Sequence, residues 1–332
     1  MKIKAASSSL FFVGLAGLVS FGYLIFIVFF PAAAPGLRRD MVEASRLMAE
    51  AEAAIKECRE AAGVPIDPKT DPNRTGLIGI EMSPITTTLG NIEAKRTTTN
   101  PNFGGLAALL FNEAGVRPGD AVAIGASGSF PALIAAVLAA AKAMDLRPLF
   151  IVSLGASEWG ANNPAFTWLD MADCLKAKSI LDVKPIALAI GGGEDVGHDM
   201  SPDGRRELEE KIRRTGIAFI EDPDLEANVR ARMSVYEAAA AGRPIRVFVN
   251  VGGGTANIGT NAGILKLRPG LVRAVPVPPA GERGVAVEVL ASGDLRVSAE
   301  PVHLGMEVIM SDELLKDTVL DAPIVVRIEL GA

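Results

Sequence analysis

The sequence predicts an α/β protein with a mostly parallel, doubly wound sheet in Rossmann-like layers, one N-terminal transmembrane helix and a β-rich C-terminal segment. Short apolar strands alternate with helices between residues 75 and 262, a pattern that implies βαβ units with right-handed crossovers. Four of the predicted strands run directly into glycine-rich loops, within residues 121–131, 149–160, 186–197 and 245–259. In an open parallel sheet such loops meet at the carboxyl edge, where ligands bind.

The composition is that of a folded, acidic protein. Hydrophobic residues make up 49% and charged residues 22% of the 332 positions, which is enough apolar material for a packed core. The net charge is −6 and no basic stretch stands out, so nucleic acid is not expected as a partner. A polyanion held at one local site remains compatible with this charge.

The N-terminal segment is predicted to be a membrane anchor. Residues 5–30 carry no charge, and residues 10–30 are almost wholly apolar, about long enough to cross a bilayer as one helix. We therefore assign residues 1–36 to an uncleaved transmembrane signal anchor. The small residues Ala32–Ala34 leave a cleaved signal peptide as the alternative, but the apolar run is longer than a typical signal core.

The charges that flank this segment decide its orientation only weakly. Lys2 and Lys4 precede it, while Arg38 and Arg39 follow it, so the count of cations is nearly balanced between the two sides. A short tail ahead of a long soluble domain favours export of that domain. We expect a single-pass protein of the cell membrane whose soluble domain is extracytoplasmic.

Residues 37–74 are predicted to form an amphipathic stalk helix and a proline-rich linker. Apolar residues recur at helical spacings of three and four, namely at Met41, Ala44, Met48, Ala51, Ile55 and Cys58. Either this face packs on the globular domain or it forms a short dimer seam. Pro65, Pro68 and Pro72 then end the helix.

The chain has two cysteines, Cys58 and Cys174. Two cysteines alone cannot supply a structural zinc site or a disulfide framework. They lie in two distant predicted helices, and disulfide geometry is demanding. We therefore expect them not to pair.

The predicted α/β domain, residues 75–262, opens with a strand at Thr75–Glu81 and a polar run at Ser83–Asn102. The run is either a solvated loop that caps the helix starting near Asn100 or a ligand-binding loop, since its hydroxyls, amides and cations suit carboxylate or phosphate groups. For the second case we predict these ligand-binding residues: Thr87, Thr88, Lys95, Arg96 and Asn100.

The remaining elements follow from apolar periodicity and from capping signals. Ser201 followed by Pro202 marks a helix start. Helices are predicted at residues 103–113, 130–144, 166–177, 202 onwards and 225–241, and strands at residues 121–125, 148–154, 185–190, 217–220 and 246–251. The β-rich extension, residues 263–332, is predicted to add strands at residues 283–290, 295–298 and 324–329, either as a separate unit or on the same sheet.

Several segments resemble the poly-γ-glutamate system protein family. They are Thr86–Thr97, Asn100–Phe103, Gly125–Ala132, Phe166–Met171 and the glycine loop that begins at Asn250. The family consists of membrane-anchored proteins associated with the machinery that makes and exports the poly-γ-glutamate capsule polymer. The resemblance covers roughly residues 76–261, implies an accessory role in biosynthesis or export of that polymer, and implies no catalytic residue.

Ser127 is the candidate nucleophile of an alternative, enzymatic function. It follows a buried strand as in a nucleophile elbow, although Ser129 stands where that motif requires glycine. His198 is the candidate base, and Asp170, Asp195 or Asp199 would orient it, of which we choose Asp170. Such a set would serve a serine-type hydrolase or transpeptidase acting on γ-glutamyl amide bonds.

The glycine loops supply the other predicted ligand-binding residues. Their backbone amides suit an anion, but a Walker Lys-Ser/Thr pair and a G-x-G-x-x-G opening are both missing, so a nucleotide is not favoured. The acids near His198 match no metal signature, and we interpret them as helix-capping charges, with no metal site and no cofactor assigned. The predicted residues are Ser129, Asn162, Glu194, Asp195, Asn250, Thr255 and Asn257.

We therefore expect an accessory protein whose partners are the poly-γ-glutamate polymer, its membrane synthase subunits, or both. Binding would occur through the glycine-rich loops at the carboxyl edge of the sheet. Hydrolysis or transfer of the polymer is the alternative.

Overall fold

The structure is a computed structural model that describes residues 3–29, 35–182, 184–258, 270–272, 285–289, 295–301 and 325–327. The chain divides into two compact units, Met1–Arg39 and Asp40–Ala332.

Nine helices and nine strands are described. In chain order the helices are α1 (Ile3–Phe29), α2 (Pro35–Ala61), α3 (Ile92–Thr98), α4 (Asn102–Glu113), α5 (Pro131–Ala143), α6 (Trp168–Ala177), α7 (Pro202–Thr215), α8 (Leu225–Ala240) and α9 (Thr255–Ile258), with a 3-10 turn at Gly193–Asp195. The strands are β1 (Ala121–Ser127), β2 (Arg147–Ser153), β3 (Ala187–Ala189), β4 (Ala218–Ile220), β5 (Ile245–Val251), β6 (Gly270–Val272), β7 (Val285–Val289), β8 (Leu295–Pro301) and β9 (Val325–Arg327).

The first unit contains α1, on which large apolar side chains such as Phe12, Leu18 and Phe21 are exposed. A search of the described residues finds no helix that is long and apolar enough to span a membrane. The transmembrane anchor at residues 1–36 therefore stays a prediction.

The second unit is built on a parallel sheet, which confirms the predicted α/β class. Five parallel strands lie in the order β4-β3-β2-β1-β5. Along β1 and β2, Ala121 is opposite Arg147 and Ser127 is opposite Ser153. Beyond β5 the sheet continues with β9, which is antiparallel to β5, and with β6, which is parallel to β9. Strands β7 and β8 form a separate antiparallel pair.

Helices cover both faces of the sheet. On β1, Val122 and Ile124 join the larger core cluster, which α2, α4, α5, α6 and α7 complete. Ala121 and Ala123, which point the other way, pack with Met233 and other residues of α8. Because side chains alternate along a strand, one buried strand contributes to both layers, and all seven residues of β1 are buried.

The order of the strands reverses next to β1. From β1 to β4 the chain moves outward one strand at a time, and β5 then returns to the far side of β1. The carboxyl ends of β1 and β5 therefore flank the point at which the winding changes direction. In open α/β sheets this switch point is where a ligand-binding crevice forms.

Helix α2 packs on this body along the face that the sequence indicates. Ala44, Met48, Ala51 and Ile55 are fully buried in the larger core cluster. Of the two interpretations of the stalk, the structure thus shows the packed one. The residues that follow α2 belong to the same body, because the buried Arg59 donates a hydrogen bond to the carbonyl of Pro65 in the linker at 3.1 Å.

The predicted first strand, Thr75–Glu81, is an extended segment and not a strand of the sheet, so that prediction is wrong. The Arg59 guanidinium donates to the carbonyl oxygens of Gly76, at 2.8 Å, and Ile78, at 2.6 Å. The Gly79 amide donates to the carbonyl of Trp159 at 3.0 Å. A buried side chain and a loop thus satisfy backbone groups that a neighbouring strand would otherwise pair.

Local capping signals are confirmed. The Ser201 side chain accepts a hydrogen bond from the amide of Gly204 at 3.0 Å, at the start of α7. Inside the polar run, Asn91 accepts from the amide of Ala94 at 3.1 Å and starts α3. The run is therefore partly helical.

The expectation that Cys58 and Cys174 do not pair is wrong. They form a disulfide that joins α2 to α6, with Cα atoms 6.2 Å apart. Two helices that are distant in sequence meet here, which the separate helical patterns could not reveal. The bridge spans 116 residues of sequence, and the chain-entropy model gives about 5 kcal/mol for closing so long a loop in the unfolded chain.

Glu52 on α2 carries a buried carboxyl group. It is 8% exposed, and its Oε1 has no hydrogen-bond partner among the described residues. Burial and, to a smaller extent, the negative charge of Asp71 raise the pKa of Glu52 to about 8. At neutral pH the folded protein therefore keeps a proton on this carboxyl group.

This raised pKa predicts that the protein becomes less stable as the pH rises. The unfolded carboxyl group has a pKa of about 4.3, so the free energy of unfolding should decrease as the pH rises from there to the folded-state pKa of about 8. We expect Glu52→Gln to match the wild type near pH 4 and to be more stable at pH 9 by about 2 kcal/mol or more. Urea denaturation at both pH values measures this.

The matched control is Glu50→Gln on the exposed side of α2. It should show no comparable gain at pH 9, because that carboxylate is open to water. Equal stability of Glu52→Gln and the wild type at pH 9 would contradict the proposed cause.

Candidate functional site

Four loops meet at the carboxyl edge of the parallel sheet, and we call this region the carboxyl-edge site: residues 127–130 after β1, 154–160 after β2, 190–199 after β3 and 252–257 after β5. The loops approach at backbone distance. A Cβ on Gly128 would lie 2.8 Å from the carbonyl oxygen of Leu154, and one on Gly252, whose φ is +86°, would lie 3.2 Å from Cβ of Ser127. Only glycine fits such contacts and such a backbone angle.

Three buried serines lie together at this edge. The hydroxyl groups of Ser127 and Ser129 are 2.9 Å apart, so one donates to the other. The Ser129 Oγ also accepts from the backbone amide of Ser157 at 2.9 Å. The crevice between β1 and β5 thus has a hydroxyl-rich wall.

Lys95 brings a cationic group to these serines. It is 2% exposed, and its Nζ donates to the Ser157 Oγ at 2.9 Å. The same Nζ lies 3.5 Å from the centre of the Phe130 ring, a cation–π contact. The short helix α3, which starts in the polar run, carries Lys95 to this position.

A second buried polar cluster lies where the loop after β3 meets α8. Arg232 Nη2 donates to the Asp195 carboxylate at 2.5 Å and to the Ser153 hydroxyl at 3.0 Å, and that hydroxyl donates to Asp195 at 2.9 Å. The side chain of Arg232 is 3% exposed and that of Asp195 is fully buried. Arg232 Nη1 has no partner among the described residues.

Three predicted ligand-binding residues come from β5 and the loop after it. The Asn250 Nδ2 donates to the carbonyl of Gly252 at 2.8 Å, while its Oδ1 has no partner among the described residues. Thr255 donates to the carbonyl of Gly192 at 3.4 Å. Asn257 is buried beside Gly125, which leaves room for its side chain because glycine has no Cβ.

Thr87 and Thr88 lie at the rim of the site. The Thr87 amide donates to the carbonyl of Ala156 at 3.0 Å, and its methyl group lies against Gly155 and Gly192. Thr88 is exposed. Thr87 therefore contacts the crevice, and the carbonyl of Thr88 accepts from the amide of Glu158, in the loop after β2, at 3.0 Å.

Other predicted ligand-binding residues have structural partners. Arg96 donates to the carbonyl oxygens of Thr70, at 2.8 Å, and Lys69, at 2.6 Å. Asn100 accepts from the amide of Asn102 at 3.0 Å at the start of α4. The Arg96 side chain therefore binds the linker, and the Asn100 side chain binds a backbone amide at the start of α4.

Asn162 and Glu194 are two further predicted ligand-binding residues, and they lie in different surroundings. Asn162 is fully buried and exchanges hydrogen bonds with the backbone of Ile80, at 2.9 Å and 2.7 Å. Glu194 is exposed and has a positive φ of 53°. A binding role for either residue stays a prediction.

The structure does not assemble the proposed set of Ser127, His198 and Asp170. His198 is exposed, and among the described residues it makes no hydrogen bond with Ser127 or Asp170. Asp170 instead accepts from the Thr167 hydroxyl at 2.7 Å and from Lys211 at 2.5 Å. The carboxylate closes the first turn of α6, which is a capping role.

Sequence reasoning missed Ser157 and Arg232. Ser157 lies in the glycine-rich loop 149–160, so its place at the carboxyl edge was available in the strand pattern. Arg232 lies in the middle of α8, and no local pattern shows that it reaches Asp195. In the described residues, no group of three His, Cys, Asp or Glu side chains lies together in a way that could hold a metal ion.

Comparison with known proteins adds no relative. No protein-family model, no curated protein and no solved structure matches this chain.

The Asp195–Arg232 pair generates a stability prediction. Asp195→Asn or Arg232→Met should each lower the free energy of unfolding by about 3–5 kcal/mol, because each leaves a buried charge unpaired. The double variant should lose less than the sum, since it leaves neither charge. Urea denaturation of the two single variants and the double variant gives this coupling energy.

Glu226→Gln is the control on the same helix. It removes an exposed pair with Arg230 and should cost less than about 0.5 kcal/mol. Additive losses from the two buried substitutions would show that these side chains do not act as a pair.

Proposed function

We propose that this protein is a membrane-anchored accessory protein of poly-γ-glutamate biosynthesis or export. Its globular unit would stand on the extracytoplasmic side and bind the polymer, the synthase complex, or both. The carboxyl-edge site would provide the first contact.

One observation carries the proposal: three segments that resemble the family and lie far apart in the chain are neighbours at one edge of the sheet. Lys95 of the segment Thr86–Thr97 has its Nζ 3.5 Å from the centre of the Phe130 ring, which belongs to the segment Gly125–Ala132. Ser127 from the β1 loop lies against Gly252 of the loop that begins at Asn250. Because these segments lie around one crevice, they can contribute to a single binding site.

Two features support the membrane location and the side. The Cys58–Cys174 disulfide is typical of oxidising compartments outside the cytosol. On α1, the exposed apolar side chains of Phe12, Leu18 and Phe21 suit an apolar surrounding. Both features favour an anchored protein with an exported domain.

The proposal is tested with the full-length protein in lipid nanodiscs and a γ-linked glutamate oligomer. We expect saturable binding that weakens with salt, since a polyanion is held in part by screened charges. Thr88→Glu should weaken binding roughly fivefold, because it adds a like charge at the rim. Ser234→Glu adds the same charge on the exposed surface of α8 and should have no effect.

Isothermal titration calorimetry measures these affinities. An absence of saturable binding by the wild type, with purified synthase subunits also failing to bind, would overturn the proposal.

A second candidate function, hydrolysis of γ-glutamyl amide bonds, is favoured by the contact between Lys95 and Ser157. The 2.9 Å distance from Nζ to Oγ is that of a nucleophile and its base. In this mechanism Lys95 would first release a proton to water. The neutral amine would then take the Ser157 proton as the oxygen attacks the amide carbonyl, and would pass that proton to the leaving amine. Water would then release the acyl group and restore the serine.

This candidate predicts cleavage of the polymer that depends on one serine. Ser157→Ala and Lys95→Met should abolish shortening of the polymer, as measured by size-exclusion chromatography. His198→Ala should keep full activity, because His198 is exposed and does not contact the serines. Unchanged polymer length with the wild-type protein, or full activity of Ser157→Ala, would exclude this mechanism.

A further inference from the structure

A cavity of about 470 Å³ lies between α6 and α7, away from the carboxyl-edge site. Pro185 and Ile217 help to line it; Ile217 directly precedes β4, and Pro185 lies two residues before β3. The cavity is therefore near the amino ends of those strands, at the opposite edge of the sheet. Its volume is within the usual range of small-ligand sites.

The lining of this cavity is cationic in a protein whose net charge is −6. Four cations line it, Lys176, Lys184, Lys211 and Arg214, and two acids, Asp170 and Asp173. Positive side chains around a concave surface concentrate anions there.

Two of these cations already have partners. Lys211 donates to Asp170 at 2.5 Å, and Lys176 lies 3.4 Å from Asp182. In the described part of the chain, Lys184 and Arg214 make no ion pair and no side-chain hydrogen bond. These two groups are therefore available to a bound anion.

The buried cations at the carboxyl-edge site already have partners. Lys95 is buried against Ser157 and Phe130, and Arg232 donates to Asp195. The acidic side chains of Glu194 and Asp199 are exposed in the loop after β3. Lys184 and Arg214 thus make the cavity a second place where a ligand with several carboxylates can bind.

The cavity also has apolar walls. Leu169, Ala172, Pro185 and Ile217 contribute to its lining between the charged groups. A γ-linked glutamate chain alternates a carboxylate with two methylene groups and an amide. Cations beside apolar walls match both parts of that repeat.

We propose that the cavity between α6 and α7 is a carboxylate-binding site that takes a few consecutive residues of γ-linked glutamate, with Lys184 and Arg214 as the binding cations. The identity of the ligand rests on the proposed function. The site itself lies apart from the crevice between β1 and β5, so a long polymer chain has two separate places to attach, which raises its overall affinity.

The test uses the full-length protein in nanodiscs and tri-γ-glutamate as the probe, with affinity measured by isothermal titration calorimetry. We expect Lys184→Gln/Arg214→Gln to weaken binding at least about tenfold. Both side chains are exposed, so the fold should be kept, and circular dichroism checks this. The control, Arg117→Gln/Arg243→Gln, removes the same charge from exposed positions elsewhere and should bind like the wild type.

Two outcomes overturn the inference and differ in what they say of the proposed function. If Lys184→Gln/Arg214→Gln binds like the wild type while Thr88→Glu binds weakly, the polymer uses the carboxyl edge and only the cavity is excluded. If the wild type does not bind tri-γ-glutamate, the cavity is excluded and polymer binding fails with it. An equal loss in the control variant would show nonspecific attraction and would also overturn the site.

Discussion

The close approach of the loops at the carboxyl edge is the constraint on which the site depends. Gly128 lies so close to the carbonyl of Leu154 that a Cβ does not fit, and Gly252, which lies against Ser127, has a positive φ that favours glycine. These contacts bring the loops after β1, β2 and β5 together at the switch point of the sheet. The packing of these backbone segments therefore creates the crevice and places its serine hydroxyl groups.

The sequence predicted those parts of the fold that local signals determine. Apolar strands next to glycine loops indicated the parallel sheet, and Ser201 with Pro202 indicated a helix start. The disulfide was not predictable, because it depends on how α2 packs against α6. Thr75–Glu81 has the composition of a strand, yet Arg59 from another element takes over its carbonyl groups.

The sequence indicated which loops form the candidate site, but not what each residue contacts. The four glycine loops do meet, and Ser127, Ser129 and Lys95 do lie near one another. The roles of single residues depend on contacts that are distant in sequence. Arg96 has the charge for anion binding, but it donates to the carbonyl groups of Thr70 and Lys69, and a helix pattern cannot show such an interaction.

The charges of the molecule separate the two possible activities. A buried lysine beside serines suits a reaction or a small polar ligand at the carboxyl edge, whereas exposed cations around the α6–α7 cavity suit a polyanion. Binding of γ-linked glutamate is the property from which the other proposals follow. A crystal or cryo-electron microscopy structure of the full chain with tri-γ-glutamate would show it. We expect carboxylates about 3 Å from Lys184 and Arg214, and an empty cavity and crevice at saturating ligand would rule the proposed binding out.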